Sequence, residues 1–201
     1  GMKIVCLDLE GVLVPEIWIN VAKRTGIEEL RRTTRDEPDY NKLMRRRIEI
    51  LKEHSLTLSD IQAVIASMGP MEGAKAFLDE LRSLTQVIIL SDTFVEFAKP
   101  LMARLDWPTI WCNSLEVKDG MIARHKLRQE EGKFHAVQAL KALNFSTFAA
   151  GDSYNDLKMI LEADEGCLFR APKTIIESYP HLVLTTTYGE LMDRIKEFLT
   201  S

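Results

Sequence analysis

Three short apolar runs, each stopped by small polar or acidic residues, set the rhythm of the chain. Lys3–Leu7 (KIVCL) halts at Asp8, Gln86–Leu90 (QVIIL) at Ser91 and Asp92, and Thr147–Ala150 (TFAA) at Gly151 and Asp152. Continuous apolar runs this short read as strands buried on both faces. The second and third follow amphipathic segments, Met71–Leu84 and Gly132–Leu143, that read as helices. Strands alternating with helices predict an α/β fold built on a mainly parallel sheet, covered on both sides. Further strands are expected at Thr109–Cys112, Gly166–Phe169 and Leu182–Leu184. The segment LEVKDGMIARH, around Asp119-Gly120, reads as a tight hairpin peripheral to that sheet.

Residues 15–69 break the alternation. Pro15–Thr25, Asp39–His54 and Leu58–Met68 read as helices with polar connectors, and Gly69-Pro70 marks the return to the sheet pattern. The expected organisation is a core of residues 1–14 and 70–201 with a small helical cap, 15–69, inserted after the first strand. Ligands of open parallel sheets bind beyond the C-terminal ends of the strands. Asp8, Ser91-Asp92 and Asp152 fall at such ends, and the cap is placed to cover them.

Each polar group at these ends has a chemical reading and a plainer one. Asp8 and Glu10 form a carboxylate pair that can divide labour between nucleophile and proton carrier, or help hold Mg²⁺; Asp-x-Glu is also an ordinary strand end. Asp152 and Asp156 offer a second acidic cluster, or helix capping. Ser91, with Asp92 and Thr93, suits a phosphate oxygen, or a turn. Lys133 shares a helical face with Val137 and Leu140, which puts a cation where a packed face begins. There it can neutralise phosphate or the carboxylates, or simply snorkel.

At about 100° per residue, Arg47 falls inside the apolar arc of Leu43, Met44, Ile48, Ile50 and Leu51, whereas Arg45 and Arg46 fall outside it. Arg47 is therefore the arginine expected to face the core and meet a substrate carboxylate, with Glu16 available for an ammonium. One cation and one anion on a lid suit an amino acid. A structural Arg–Glu pair is the other reading.

Composition narrows the field. Of 201 residues, 46% are hydrophobic and 28% charged, which places the chain among globular proteins. Thirty acidic against 26 basic residues give a net charge of -4, which argues against a broad grip on nucleic acid. Three cysteines, an odd number without paired spacing, favour a reducing compartment. The four histidines lack compact zinc spacing with those cysteines. Neither a phosphate-loop motif nor a glycine-rich dinucleotide fingerprint is present. No apolar run approaches the roughly 20 residues of a membrane helix, and KIVCLDLEG turns acidic too early for a signal peptide. Gly1 ahead of Met2 reads as a cloning remnant. A cytoplasmic protein with neither nucleic-acid nor membrane partner is expected.

Taken in order, Asp8-Leu-Glu10-Gly-Val, Ser91-Asp92-Thr93, Lys133 and Gly151-Asp152-Ser-Tyr-Asn155-Asp156 resemble the motifs of the haloacid-dehalogenase-like phosphatase superfamily over nearly the full chain. Within it the sequence is most similar to the phosphoserine phosphatases, and more narrowly to the bacterial phosphoserine phosphatase/homoserine phosphotransferase group. The resemblance implies a Rossmann-like core with a helical cap. It implies Asp8 as phosphoryl acceptor and Glu10 as general acid and base, with Mg²⁺ held by Asp8, the Glu10 carbonyl and Asp152, supported by Asp156. Ser91 and Lys133 would hold phosphate, with Asn155 close by and Asp92 in the same motif. Glu16 and Arg47 match amino-acid-binding cap positions. O-phospho-L-serine is the implied substrate, homoserine a second phosphoryl acceptor, and a homodimer is compatible with it. Most relatives carry Asp in place of Glu10, and ordinary phosphoserine phosphatases carry Gly in place of Asp92; both departures bear on the balance between hydrolysis and transfer. The same mechanism on another small phosphomonoester, such as a sugar phosphate, and a non-enzymatic phospho-ligand or protein-binding module stay open at this point.

Overall fold

A computed structural model describes residues 1–201. The chain opens with β1 (Met2–Leu7), followed by α1 (Ile17–Thr25), a 3₁₀ turn at Glu28–Arg31, α2 (Tyr40–Glu53) and α3 (Leu58–Met68). It continues through α4 (Ala74–Leu84), β2 (Gln86–Phe94), α5 (Val95–Arg104), β3 (Ile110–Lys118) and β4 (Met121–Lys126). The last part comprises α6 (Gly132–Ala142), β5 (Phe145–Gly151), α7 (Leu157–Glu162), β6 (Glu165–Phe169), α8 (Lys173–Ser178), β7 (Leu184–Thr185) and α9 (Tyr188–Leu199).

The seven strands lie in the order β4-β3-β2-β1-β5-β6-β7, all parallel except the β3–β4 pair. β1 sits at the centre because its side chains are apolar on both faces. Ile4 and Cys6 pack towards α6, α7 and α8, while Val5 and Leu7 pack towards α4, α5 and α9. The sheet is thus a doubly covered α/β sheet with helices inserted after its first strand, as expected.

The inserted helices are not a loose appendage. Val21, Leu30, Met44, Ile50, Leu51, Ile61 and Ile65 join the same apolar cluster as Val5, Leu7 and Phe97. Asp39 caps α2 by accepting from Lys42 N, and a reciprocal Thr57–Asp60 capping box starts α3. Gln62 Nε2 donates to Glu96 O on α5 at 2.9 Å, and Leu58 N to Gly120 O at the β3–β4 turn at 2.9 Å.

Several elements differ from expectation. β2 does not stop at Ser91; it runs on to Phe94, out of regular register with β3. Leu90 pairs with Trp111 and Phe94 with Asn113, so β2 spends more residues than its neighbour and bulges across Ser91–Thr93. The strand expected at Thr109–Cys112 and the first arm of the hairpin are one continuous strand, β3; β4 alone forms the sheet edge. α4 begins at Ala74 rather than Met71, because Gly73 takes a left-handed φ of 84° with the Tyr188 ring beside it. β7 is shifted to Leu184–Thr185. α5 had no predicted counterpart: Phe94 supplies no side-chain cap and Pro100 lies within the helix, so the sequence carries no start signal there.

Candidate active site

Asp8 follows the last residue of β1, its N–H held by Ala150 O of β5 at 3.0 Å and its Oδ1 accepting from Leu9 N at 2.9 Å. The chain then turns tightly through Gly11, whose φ is 83° and whose Cβ, were there one, would lie 1.9 Å from Asp152 Oδ2. Glycine is required here both by conformation and by the approach of that carboxylate. Asp152 follows β5, and Asp156 ends the short 3₁₀ turn Tyr154–Asp156. Asp156 Oδ2 accepts from Asp152 N at 2.9 Å and Ser153 N at 3.2 Å, closing the loop on itself. Asp8, Asp152 and Asp156 each present an oxygen within 4.8 Å of the others. Hard oxygen donors at that spacing suit a divalent cation.

Lys133, at the start of α6, reaches into this cluster. Its Nζ lies 2.7 Å from Asp156 Oδ1, 3.1 Å from Asp8 Oδ1 and 3.7 Å from Asp92 Oδ2. Burial alone would lower its pKa, but Asp156 and Asp8 outweigh burial and hold the ammonium charged. Asp8 is pushed up by burial and by Asp156, against the pull of Lys133. Asp152 rises to about 7, from burial first and Asp156 second. Glu10 also rises to about 7, from burial and then Glu16, although its Oε1 accepts from Ile17 N at 2.8 Å. The carboxylates outnumber the one lysine, so the cluster calls for more positive charge.

The inserted helices supply the opposite wall of a cavity of about 800 Å³. Glu16 lines it at the entry to α1 and is exposed. Arg47 is buried, its guanidinium 4.7 Å from the Trp18 ring centroid; Nη2 donates to Arg32 O at 2.8 Å and Nη1 to Met44 Sδ at 3.5 Å. It forms no ion pair, and its buried Nε has no partner at all. Burial lowers its pKa to about 10. The structural Arg–Glu pair belongs instead to Arg46, which meets Glu29, Glu49 and Glu53.

Asp8, Glu10, Glu16, Arg47, Asp92, Lys133, Asp152 and Asn155 all face this one cavity. Ser91 and Asp156 are buried next to the lining residues Asp92 and Asn155: Asp156 is fully buried, whereas Ser91 keeps 6% of its surface exposed and its Oγ accepts from Thr93 N at 3.1 Å. Tyr40 and Asn113 also line it, and sequence reasoning missed both. Tyr40 lies seven positions before Arg47 on the same α2 face, a pattern that could have flagged it; Asn113 sits in a half-exposed strand beside Ser114 and Glu116, and nothing local singles it out. Cys6, Cys112 and Cys167 are free, and burial pushes their thiols to about 12, 11 and 11. None is a thiolate nucleophile.

A family model for haloacid dehalogenase-like hydrolases matches residues 2–164. The chain belongs to that family. Every site residue named above lies inside the matched segment. Over 199 residues the chain is 52% identical to phosphoserine phosphatase ThrH of Pseudomonas aeruginosa, covering 98% of this chain and 96% of the relative. It is also 52% identical to a phosphoserine phosphatase of Pseudomonas syringae pv. tomato, covering 99% and 83%. Among solved structures, a substrate-bound phosphoserine phosphatase complex superposes with a TM-score of 0.76 at 20% identity, over 98% of both chains. At that identity the likeness speaks for the fold alone. Among haloacid dehalogenase-like hydrolases this chain thus keeps the sheet and places its inserted helices over the strand ends. No helix is long and apolar enough to cross a membrane.

Proposed function

We propose that this hydrolase cleaves O-phospho-L-serine to L-serine and phosphate through an aspartyl-phosphate on Asp8. The observation that carries the substrate assignment is Arg47: a buried guanidinium without an ion-pair partner, in the wall of the cavity that also holds Asp8 and Lys133. A buried cation is costly unless an anion meets it, and a substrate carboxylate is the missing anion. Glu16 faces the same space and suits the ammonium of an amino acid. The 52% identical Pseudomonas proteins bear phosphoserine phosphatase names, which agrees with that chemistry. A sugar phosphate offers neither charge.

In this reading residues 1–14 and 70–201 form the catalytic core and residues 15–69 the cap. Asp8 attacks phosphorus in line, the P–O bond to serine breaks, and Glu10 gives the departing alkoxide its proton. A water then attacks the aspartyl-phosphate while Glu10 takes a proton back, releasing phosphate and restoring Asp8. A carboxyl with a pKa of about 7 is suited to both halves of that cycle. Lys133, Ser91 and the neighbouring Asn155 hold the phosphoryl oxygens, and Asp92 shares the Lys133 charge. Asp8, Asp152, Asp156 and the Glu10 carbonyl suit Mg²⁺, which when bound supplies positive charge to the transferring phosphoryl group. Homoserine in place of water would make the reaction a transfer.

The test is phosphate release from O-phospho-L-serine with Mg²⁺ and with chelator, beside a reaction containing homoserine in which phosphohomoserine is quantified. Metal-dependent phosphate release is expected. Folded, Mg²⁺-loaded protein that forms neither product overturns the substrate.

A further inference from the structure

Tyr40 is the first residue of α2 and lies on nearly the same helical face as Arg47, about 10 Å away along the axis. Its hydroxyl donates to Asp92 O at 3.2 Å. Asn113 Nδ2, from β3, donates to the same oxygen at 3.2 Å, while its Oδ1 accepts from Arg128 N at 2.9 Å. The other side of that peptide unit is Thr93 N–H, which donates to Ser91 Oγ at 3.1 Å. One peptide plane is therefore gripped on both edges.

The grip is needed because the sheet does not provide it. Ser91, Asp92 and Thr93 fall in the bulge between the paired residues Leu90 and Phe94, without strand partners to orient them. Ser91 Oγ, having accepted from Thr93 N, keeps its own proton to donate to a ligand oxygen. Burial holds the Tyr40 phenol well above its ordinary range, so it stays a donor at any working pH.

We propose that Tyr40 is a positioning residue: by closing onto Asp92 O it locks the Asp92–Thr93 peptide and so aims the Ser91 hydroxyl at the transferring phosphoryl group. The role of Ser91 rests on the phosphatase reading above. Because α2 also carries Arg47, one rigid helix meets the carboxylate end of the substrate and tightens the phosphate end. Hydrogen bonds in series reinforce one another, so the effect of the phenol is felt beyond its own contact.

Tyr40→Phe keeps the ring and removes only the hydroxyl. Its kinetics are measured with O-phospho-L-serine and with p-nitrophenyl phosphate, a phosphomonoester lacking the amino-acid groups. Loss of one neutral hydrogen bond should lower kcat about five-fold on both substrates, with the phosphoserine KM changed less than about two-fold. In a Ser91→Ala background the same substitution should cost nothing further, since the tyrosine acts through that hydroxyl. Unchanged kcat overturns the proposal, whether or not thermal stability falls. So does a KM rise confined to phosphoserine, which would place the phenol on the amino-acid moiety, and so does full additivity with Ser91→Ala. Wild-type protein inert on phosphoserine but active on p-nitrophenyl phosphate defeats the substrate assignment alone, and the latch is then judged on the second substrate. Inertness on both defeats both.

Discussion

Lys133 should be as important to the metal-free fold as to catalysis, and Lys133→Met separates the two. The ammonium is buried and lies 2.7 Å from Asp156 and 3.1 Å from Asp8, both buried themselves. Removing one member of a buried ion network costs about 3–5 kcal/mol, mostly because the remaining charge is stranded. Here the stranded charge is a set of carboxylates within 4.8 Å of one another. Asp8 is already pushed towards its protonated form and can take up a proton, which limits the loss, so the lower end, about 3 kcal/mol, is expected. Methionine keeps most of the methylene packing, which leaves charge as the difference between the two proteins. For a chain of this size that corresponds to a fall in Tm of about 6–12 °C.

Urea denaturation in the presence of chelator reads this directly. Repeating it with saturating Mg²⁺ should recover a large part of the loss in the variant, because the ion takes over as counter-charge. Catalysis should not recover, since the proposed mechanism uses the lysine to hold the phosphoryl group; a fall in kcat of at least about 100-fold is expected. A loss below about 1 kcal/mol in chelator would refute the reasoning, for it would mean that the carboxylates tolerate one another without the lysine. An equal loss with and without Mg²⁺ would show that the cluster does not hold the ion.

Three further outcomes follow from the same geometry. Arg47→Ala should raise the phosphoserine KM about 10- to 100-fold, the range of a charge-assisted contact, and leave p-nitrophenyl phosphate turnover unchanged; an equal effect on both substrates would count against its carboxylate role. Gly11→Ala would put a Cβ 1.9 Å from Asp152 Oδ2 on a backbone with φ of 83°, so the Mg²⁺ concentration for half-maximal activity should rise at least about ten-fold, and a wild-type metal dependence would contradict this. In chelator, Tm should fall between about pH 5 and pH 7: Glu10 and Asp152 have folded pKa values of about 7, above their ordinary values, so the folded state binds more protons than the unfolded one and loses stability as pH rises. His125, whose burial lowers its pKa, works in the opposite direction but is one partly exposed group. Saturating Mg²⁺ should flatten the slope by replacing the protons, and a Tm that rises across this window in chelator would contradict the assignment.

What the sequence made legible was what depends on neighbours along the chain. Apolar runs ending at Asp8 and Asp152 located two strand ends, and strand pairing then forced those residues together: Leu7 lies beside Ala150, so the residues just beyond them share one rim. The helical face of α2 singled out Arg47 from three adjacent arginines because burial on a helix is periodic. The Asp92 region was misread for the opposite reason. Ser-Asp-Thr has the composition of a turn, yet Phe94 regains pairing with Asn113 and draws the strand through, an outcome decided by a residue of β3 that no local window contains.

Glu10 shows why the chemistry of a group is harder to read than its position. The motif puts a carboxyl near the rim, but its proton affinity comes from burial, from the neighbouring Glu16 and from the amide of Ile17 at the start of α1. Two of these three influences come from residues placed by the inserted segment. The insert therefore does more than cover the strand ends. It adds like charge and supplies the amide that holds Glu10, so proton affinity and the packing of the insert are one property. Any substitution that loosens α1 from the core should lower the Glu10 pKa towards that of an ordinary glutamate and, in the mechanism proposed above, reduce kcat at neutral pH without touching a residue of the core.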